Sequence, residues 1–416
     1  HCMLPWPSSF YLREDPATDT GYRVAYGEAL LPSNKQGKPV DPTRHNLRDG
    51  FSIGVQPVLW LPQGVDPAGL ATLDKPAPSI DSDHPVWLIS MPAGERVPFF
   101  AEVDANAQGT DQKKAIILRP LEPLKFDTRY VVAFKTSVRG ADGAPLQPPE
   151  GFARLRDGLS TVDPTLEAQR GRISEVLTFL EGQGIARKDL AIAWDFRTQS
   201  RASATGPLLS LVDDALGRIP ASGVAFQIKE AEDHAEADEP ELWKEIVGTF
   251  ESPSYLQDAG PDAIFALDAE GKPIYRAPQS FEFRLHVPRC AKTAKGPLPV
   301  LVFGHGLFRN AHHEPTGEYH KKLIQRLCMV EVSANWIGVS DADLTAIAGQ
   351  VLPDFSGFPR LTDRLEQAHV NTHVLVEMLR GNAIWKDKAL VRDDGSSVAD
   401  GQEMYYLGIS NGGIQG

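Results

Sequence analysis

From Ser280 onward the sequence alternates apolar, strand-like runs with helical segments, and this alternation constrains the fold more than any other feature of the chain. Residues 281–288 alternate in polarity and lead in. Residues 298–303 (Leu-Pro-Val-Leu-Val-Phe) are nearly continuously apolar, as a strand covered on both faces must be, and their one proline sits near the start, where it is tolerated. That run ends in Gly304-His305-Gly306-Leu307. A helix is predicted at about 318–327 and a strand over 329–334. After a long loop, a second helix is predicted at about 363–380, with Leu365, Ala368, Thr372, Val376 and Leu379 at helical spacing and Gly381 as its stop. Residues 404–407 form a last strand that runs into Gly408-Ile409-Ser410-Asn411-Gly412-Gly413. The pattern predicts an α/β fold with a parallel sheet.

The last segment is G-x-S-x-G directly after a strand. A sharp strand-to-helix turn raises a serine hydroxyl above the sheet, and small residues two before and two after it let neighbouring backbone pass close by. Here those positions are Gly408 and Gly412. Acyl transfer to a serine builds negative charge on the carbonyl oxygen, so such a site also needs aimed backbone N–H donors. The order strand–His-Gly, strand, helix, strand–GxSxG resembles the first half of an α/β-hydrolase domain, closest to bacterial lipases and esterases with a His-Gly oxyanion loop. The resemblance covers about the last third of the chain, residues 280–416. It implies Ser410 as nucleophile, the N–H groups of Leu307 and Asn411 as oxyanion donors, and Gly304, His305 and Gly306 as support for the oxyanion loop. In that family acid and histidine follow the serine, whereas here few residues do. The expectation is therefore an ester hydrolase whose acid and histidine come from a second polypeptide or a further C-terminal segment.

Upstream, short strands are predicted over 52–62, 114–120 and 130–135, punctuated by Pro, Gly and Asp; the chain holds 36 Gly and 33 Pro. A helix at about 164–183 and a strand over 191–197 follow. The stretch Ile117–Leu146, with a Tyr just inside a late strand and a Gly-Ala-Asp-Gly turn, resembles the last strands of bacterial Ig-like modules. The expected organisation is an extended N-terminal segment (1–50), a β-rich Ig-like sandwich with an inserted helix (51–200), a linker and accessory segment (201–279) and the hydrolase half-domain (280–416). A short helix is predicted at about 208–216. The acidic run 230–239 lacks the ligand-and-Gly layout of a calcium loop and is expected to be solvated linker.

The net charge of −13, with no dense Lys/Arg stripe, argues against nucleic acid as a partner, and no apolar run reaches the ~20 residues that span a bilayer. Cys2, Cys290 and Cys328 lack metal-ligand spacing; a Cys2–Cys290 bridge and three unpaired thiols both remain open. His312, His313, Glu314 and His320 lie close in sequence but match no zinc motif, and His369 and His373 sit one helical turn apart without a visible third ligand. Asp341 and Asp343 follow the strand at 329–334, where a loop or lid role is expected of them. No phosphate loop, dinucleotide fingerprint or metal motif is present, so no cofactor is expected. The resemblance implies a secreted or periplasmic, cell-envelope location. The rival from another class is a non-catalytic surface-binding or adhesion protein on the same scaffold.

Overall fold

The computed structural model describes residues 5–108 and 114–416. They divide into two compact units, one of residues up to Pro32 together with Asp41–Gly206, the other of Ser33–Val40 together with Pro207–Gly416.

In the first unit a small ladder pairs β1 (Leu12–Glu14) with β2 (Tyr22–Val24). Two three-stranded antiparallel sheets follow. One has β3 (Val58–Leu59), β6 (Ile116–Pro120) and β5 (Phe99–Val103) in that order; the other has β4 (Val86–Met91), β7 (Arg129–Lys135) and β8 (Leu190–Arg197). The strand predicted over 52–62 pairs only at β3, because Ser52–Val55 closes a turn and Pro57 and Pro62 offer no N–H to a ladder. β7 lies between β4 and β8, with Val132 opposite Leu88 and Trp194. The predicted helix at 164–183 begins as one turn, α2 (Pro164–Glu167), and continues as α3 (Arg170–Gly182); α1 (Glu150–Arg156) precedes them. Asp163 caps α2 by accepting the Thr165 and Leu166 N–H groups. Ile173, Val176, Leu177 and Leu180 form the apolar stripe of α3 and join one core with both sheets. At the start of β7 the Tyr130 hydroxyl accepts the Lys125 N–H (2.9 Å).

The second unit is built on a six-stranded sheet. Its order is β14 (Ala399–Gly408), β12 (Leu298–Gly304), β13 (Val330–Ala334), β11 (Ala277–Pro288), β10 (Leu242–Ser254) and β9 (Phe226–Asp233). β14, β12 and β13 are parallel, and β11, β10 and β9 extend the sheet as antiparallel neighbours. The sheet is therefore mixed, where a parallel one was expected. The stretch 201–279, expected as linker and accessory segment with a short helix at about 208–216, supplies α4 (Arg201–Gly217), which contains that helix, together with β9 and β10. The acidic run could pass for linker because β9 is an edge strand, largely solvent-facing, and needs little apolar character to pair.

α5 (Glu318–Leu327) ends at Cys328, which takes a left-handed C-cap conformation (φ 51°). Cys328 is disulfide-bonded to Cys290, and this pairing replaces both expectations for the cysteines; Cys2 lies outside the described residues. α6 (Leu344–Ala346) passes into a π-helical turn at Ile347–Val351. The long helix α7 (Pro359–Arg380) then buries Val370, Val374, Leu375, Met378 and Leu379 in the core of this unit. α8 (Asn411–Gln415) follows β14.

Candidate functional site

The register between β12 and β14 creates the site. Gly304 stands opposite Gly408, so the Gly-His-Gly loop and the GxSxG turn leave the sheet side by side at the carboxyl ends of two parallel strands. Crevices at such ends are where open α/β sheets bind ligands.

Ser410 has φ 53° and ψ −117°, a conformation a residue with a side chain rarely adopts, and the Ile409 N–H bonds the Gly304 carbonyl just before it (3.1 Å). The two flanking glycines allow this turn by close approach. A Cβ on Gly408 would lie 2.3 Å from the Gly412 carbonyl carbon, and one on Gly412 would lie 2.1 Å from the Gly304 oxygen. The Tyr406 hydroxyl donates to the Gly412 carbonyl (2.6 Å) and braces the turn from β14.

Across the gap, the loop after Gly304 approaches Ser410 closely. A Cβ built on Gly306 would stand 3.6 Å from the Ser410 Cβ and 3.4 Å from a Glu314 carboxylate oxygen. Phe308, two residues on, also has positive φ (56°), uncommon for a bulky residue. The backbone amides of this loop can be accounted for one by one. The Gly306 N–H donates to Glu314 Oε2 (2.9 Å), Phe308 N–H to the Val339 carbonyl (2.8 Å) and Arg309 N–H to the Gly306 carbonyl (3.1 Å). The Leu307 N–H has no hydrogen-bond partner among the described residues, and neither has the Asn411 N–H at the start of α8. The Ser410 hydroxyl also makes no hydrogen bond among the described residues.

His305 is fully buried. Its Nε2 accepts the Trp336 N–H (2.8 Å), which leaves Nδ1–H to donate to the Gly306 carbonyl (2.8 Å). Burial holds this imidazole below its ordinary pKa. With both nitrogens engaged, His305 fastens the loop to the segment after β13 and offers no nitrogen to Ser410.

The other singled-out residues have local partners. Asp343 is buried, accepts from Gly338 N–H, Ser340 N–H and the Ser340 hydroxyl, and pairs with Arg364 (2.8 Å). Asp341 accepts from the Asn310 amide (2.6 Å), which also meets His313. His320 bonds the buried carboxylate of Glu331, and His312 faces Glu245. His369 bonds Gln415, while His373 turns to the His369 carbonyl. Among the described residues no group of three or more His, Cys, Asp or Glu side chains has the geometry to hold a metal ion. The segment 336–341 packs directly on the Gly-His-Gly loop. Glu314 and Trp336 escaped the sequence reading. Glu314 stood among histidines that suggested a metal, and Trp336 acts through its backbone.

No family model matches this chain, and no curated protein does. Among solved structures it is similar to an acetyl xylan esterase from Paenibacillus sp. R4 (12% identity, 51% of this chain and 53% of that one, TM-score 0.25). It is also similar to acetyl xylan esterase 1 from Thermoanaerobacterium sp. (13% identity, 50% and 51%, TM-score 0.26). A third is a glucuronoyl esterase from Teredinibacter turnerae (12% identity, 51% and 47%, TM-score 0.20). The chain spans about half the length of each. These likenesses are too slight to carry an argument about activity.

Proposed function

We propose that this chain supplies the nucleophile and the oxyanion-binding amides of a serine hydrolase acting on an ester. The observation that carries the reading is the pair of unpartnered amides, Leu307 and Asn411, on the two loops that meet at a strained Ser410. In this reading the Ser410 hydroxyl loses its proton to a histidine while its oxygen attacks the acyl carbon. The Leu307 and Asn411 N–H groups receive the oxyanion, and the alcohol leaves with the proton returned by the histidine. Water then repeats the sequence and frees the acid. His305 is fully engaged and so is not that histidine, and this reading takes the base and its acid from a second polypeptide or a further segment.

The Cys290–Cys328 disulfide supports a secreted or periplasmic setting, since such bonds persist in oxidising compartments. No helix among the described residues is long and apolar enough to cross a membrane. The Tyr130–Lys125 bond at the entrance to β7, akin to the tyrosine corner of sandwich domains, supports the Ig-like reading of the β-rich unit.

The test is intact-mass analysis of the native material before and after a fluorophosphonate probe, with Ser410→Ala in parallel. A single adduct on wild type that maps to Ser410 and is lost in the variant is the expected result. No adduct, or an equal one in S410A, overturns the hydrolase and leaves the surface-binding protein.

A further inference from the structure

We infer that Glu314 is a positioning residue that decides which amide of the Gly-His-Gly loop is offered to the oxyanion. The inference deepens the proposed hydrolase and rests on it for its catalytic consequence.

Four consecutive amides, Gly306 to Arg309, line the turn beside Ser410, and three have partners. Phe308 and Arg309 are held by backbone carbonyls, which no side-chain change removes. Gly306 N–H is held by a side chain alone, the Glu314 carboxylate arriving from eight residues further along the same loop (2.9 Å). Without that acceptor the turn would present two adjacent free amides, Gly306 and Leu307. A glycine at the first of them has the backbone freedom to let the peptide rotate. Glu314 thus removes the competing donor and holds the His305–Gly306 peptide by its N–H. The His305 Nδ1–H holds the carbonyl of the next peptide, Gly306–Leu307, so the two peptides on either side of Gly306 are each fixed at one atom. The same carboxylate and Ser410 border the same side of Gly306, since a Cβ built there would lie 3.4 Å from Glu314 Oε1 and 3.6 Å from the Ser410 Cβ. A negative charge so placed opposes an oxyanion, so its presence is not explained by direct stabilisation of charge; the acceptor is what the turn requires.

This separates two substitutions. Gln at 314 keeps a carbonyl acceptor and drops the charge, whereas Ala drops both. The experiment uses the full chain with whatever partner co-purifies, and compares wild type, Glu314→Ala and Glu314→Gln. The readouts are amide hydrogen exchange in the peptide covering 304–309 and the rate of fluorophosphonate labelling at Ser410, with thermal midpoints checked for equality. E314A is expected to raise exchange at Gly306 and to slow labelling roughly tenfold to a hundredfold, the size of a misplaced donor. E314Q is expected to restore exchange protection and to label at or above the wild-type rate. Equal behaviour of E314A and E314Q would overturn the proposal, because charge rather than the acceptor would then matter; so would no change in either. If wild type does not label at Ser410 at all, the hydrolase reading fails, while the exchange pattern still decides whether Glu314 seats the loop.

Discussion

Gly412 rests against Gly304: a Cβ on Gly412 would stand 2.1 Å from the Gly304 carbonyl oxygen and 2.9 Å from that of His305. Backbone lies on both sides of this contact, so an added methyl group cannot be absorbed by a side-chain rotation. Gly412→Ala must push the turn away from β12, at a cost of about 1–3 kcal/mol for overpacking. It should lower the unfolding midpoint of the second unit and abolish labelling at Ser410. Gly413→Ala is the graded control, since its nearest contact is the Gly408 oxygen at 3.2 Å. Urea titration of both variants checks the order, G412A well below G413A.

Arg364 and Asp343 are buried together. Arg364 gives two nitrogens to Asp343 Oδ1, while Oδ2 gathers Gly338 N–H, Ser340 N–H and the Ser340 hydroxyl. The loop so gathered carries the Val339 carbonyl that holds Phe308. Arg364→Met leaves a buried carboxylate without its cation, which costs about 3–5 kcal/mol. Asp343→Asn keeps one acceptor oxygen but turns its NH2 towards the other set of donors and leaves Arg364 without its anion, so it should cost a similar amount. Denaturant unfolding of the two variants is the check. R364M should also increase hydrogen exchange at Phe308, a contact that Arg364 does not itself make.

The second unit also contains a chain of titrating groups running across three strands. His286 on β11 lies between Glu245 of β10 (3.7 Å) and Glu331 of β13 (3.8 Å). His320 of α5 bonds Glu331, while His312 and Arg284 face Glu245. The neighbouring His286 imidazole and the nearby cations hold Glu245 down to about 2. Burial pushes Glu331 up, yet His286 and His320 outweigh it and leave it below its ordinary value. Burial likewise pulls His286 down, and the two carboxylates outweigh that and raise it. The signs are then fixed by linkage. The carboxylate contributions are complete above the ordinary 4.5 and fade as pH falls through the depressed values. The His286 contribution is complete below 6.5 and fades as pH rises through the elevated value. His312, lowered by burial and Arg284, partly offsets the gain below 6.5. The cluster's own contribution to stability should be greatest between about pH 4.5 and 6.5, while His305 and His369, held low by burial, oppose it below 6.5 as His312 does. His286→Gln should flatten the alkaline limb and lower the peak. Urea midpoints from pH 4 to 9 for wild type and H286Q measure it; an alkaline limb unchanged in H286Q would remove His286 as its cause.

This cluster shows where sequence reading stopped. The strands expected at 298–303 and 404–407 and the helices expected at 318–327 and 363–380 fall within β12, β14, α5 and α7, because apolar runs and helical spacing are local signals. The juxtaposition of the two glycine motifs was what the hydrolase resemblance implied, and β12 and β14 pair with Gly304 opposite Gly408. β9 and β10 were not legible as sheet. Charged residues such as Lys244 and Glu245 interrupt the apolar alternation of β10, and β9 exposes most of its residues. A buried Glu331 looks like any surface glutamate until the strands bearing its partner histidines are placed beside it. Glu314 was hidden for the same reason, since its role lies in one backbone amide eight residues away.

The disulfide gives the last prediction. Cys290 and Cys328 lie 38 residues apart, and the closed loop contains β12, the Gly-His-Gly turn and all of α5. Cross-linking a loop of that length restricts the unfolded chain by about 4 kcal/mol in the chain-entropy account. The bond joins the start of the Arg289–Lys292 turn region to the C-cap of α5, and the Cys290 N–H is also held by Gln325 of that helix (2.9 Å). Reduction therefore releases the far end of the loop that supplies the Leu307 amide while leaving the GxSxG turn on β14 untouched. Non-reducing peptide mapping should recover the 290–328 cross-link. Adding dithiothreitol, or replacing Cys328 by Ser, should lower the urea midpoint of the second unit and raise hydrogen exchange through α5 first. Exchange in the peptide covering 408–413 should change least. If reduction leaves α5 as protected as before, the bond adds nothing to the anchoring that Gln325 and the His320–Glu331 pair already provide.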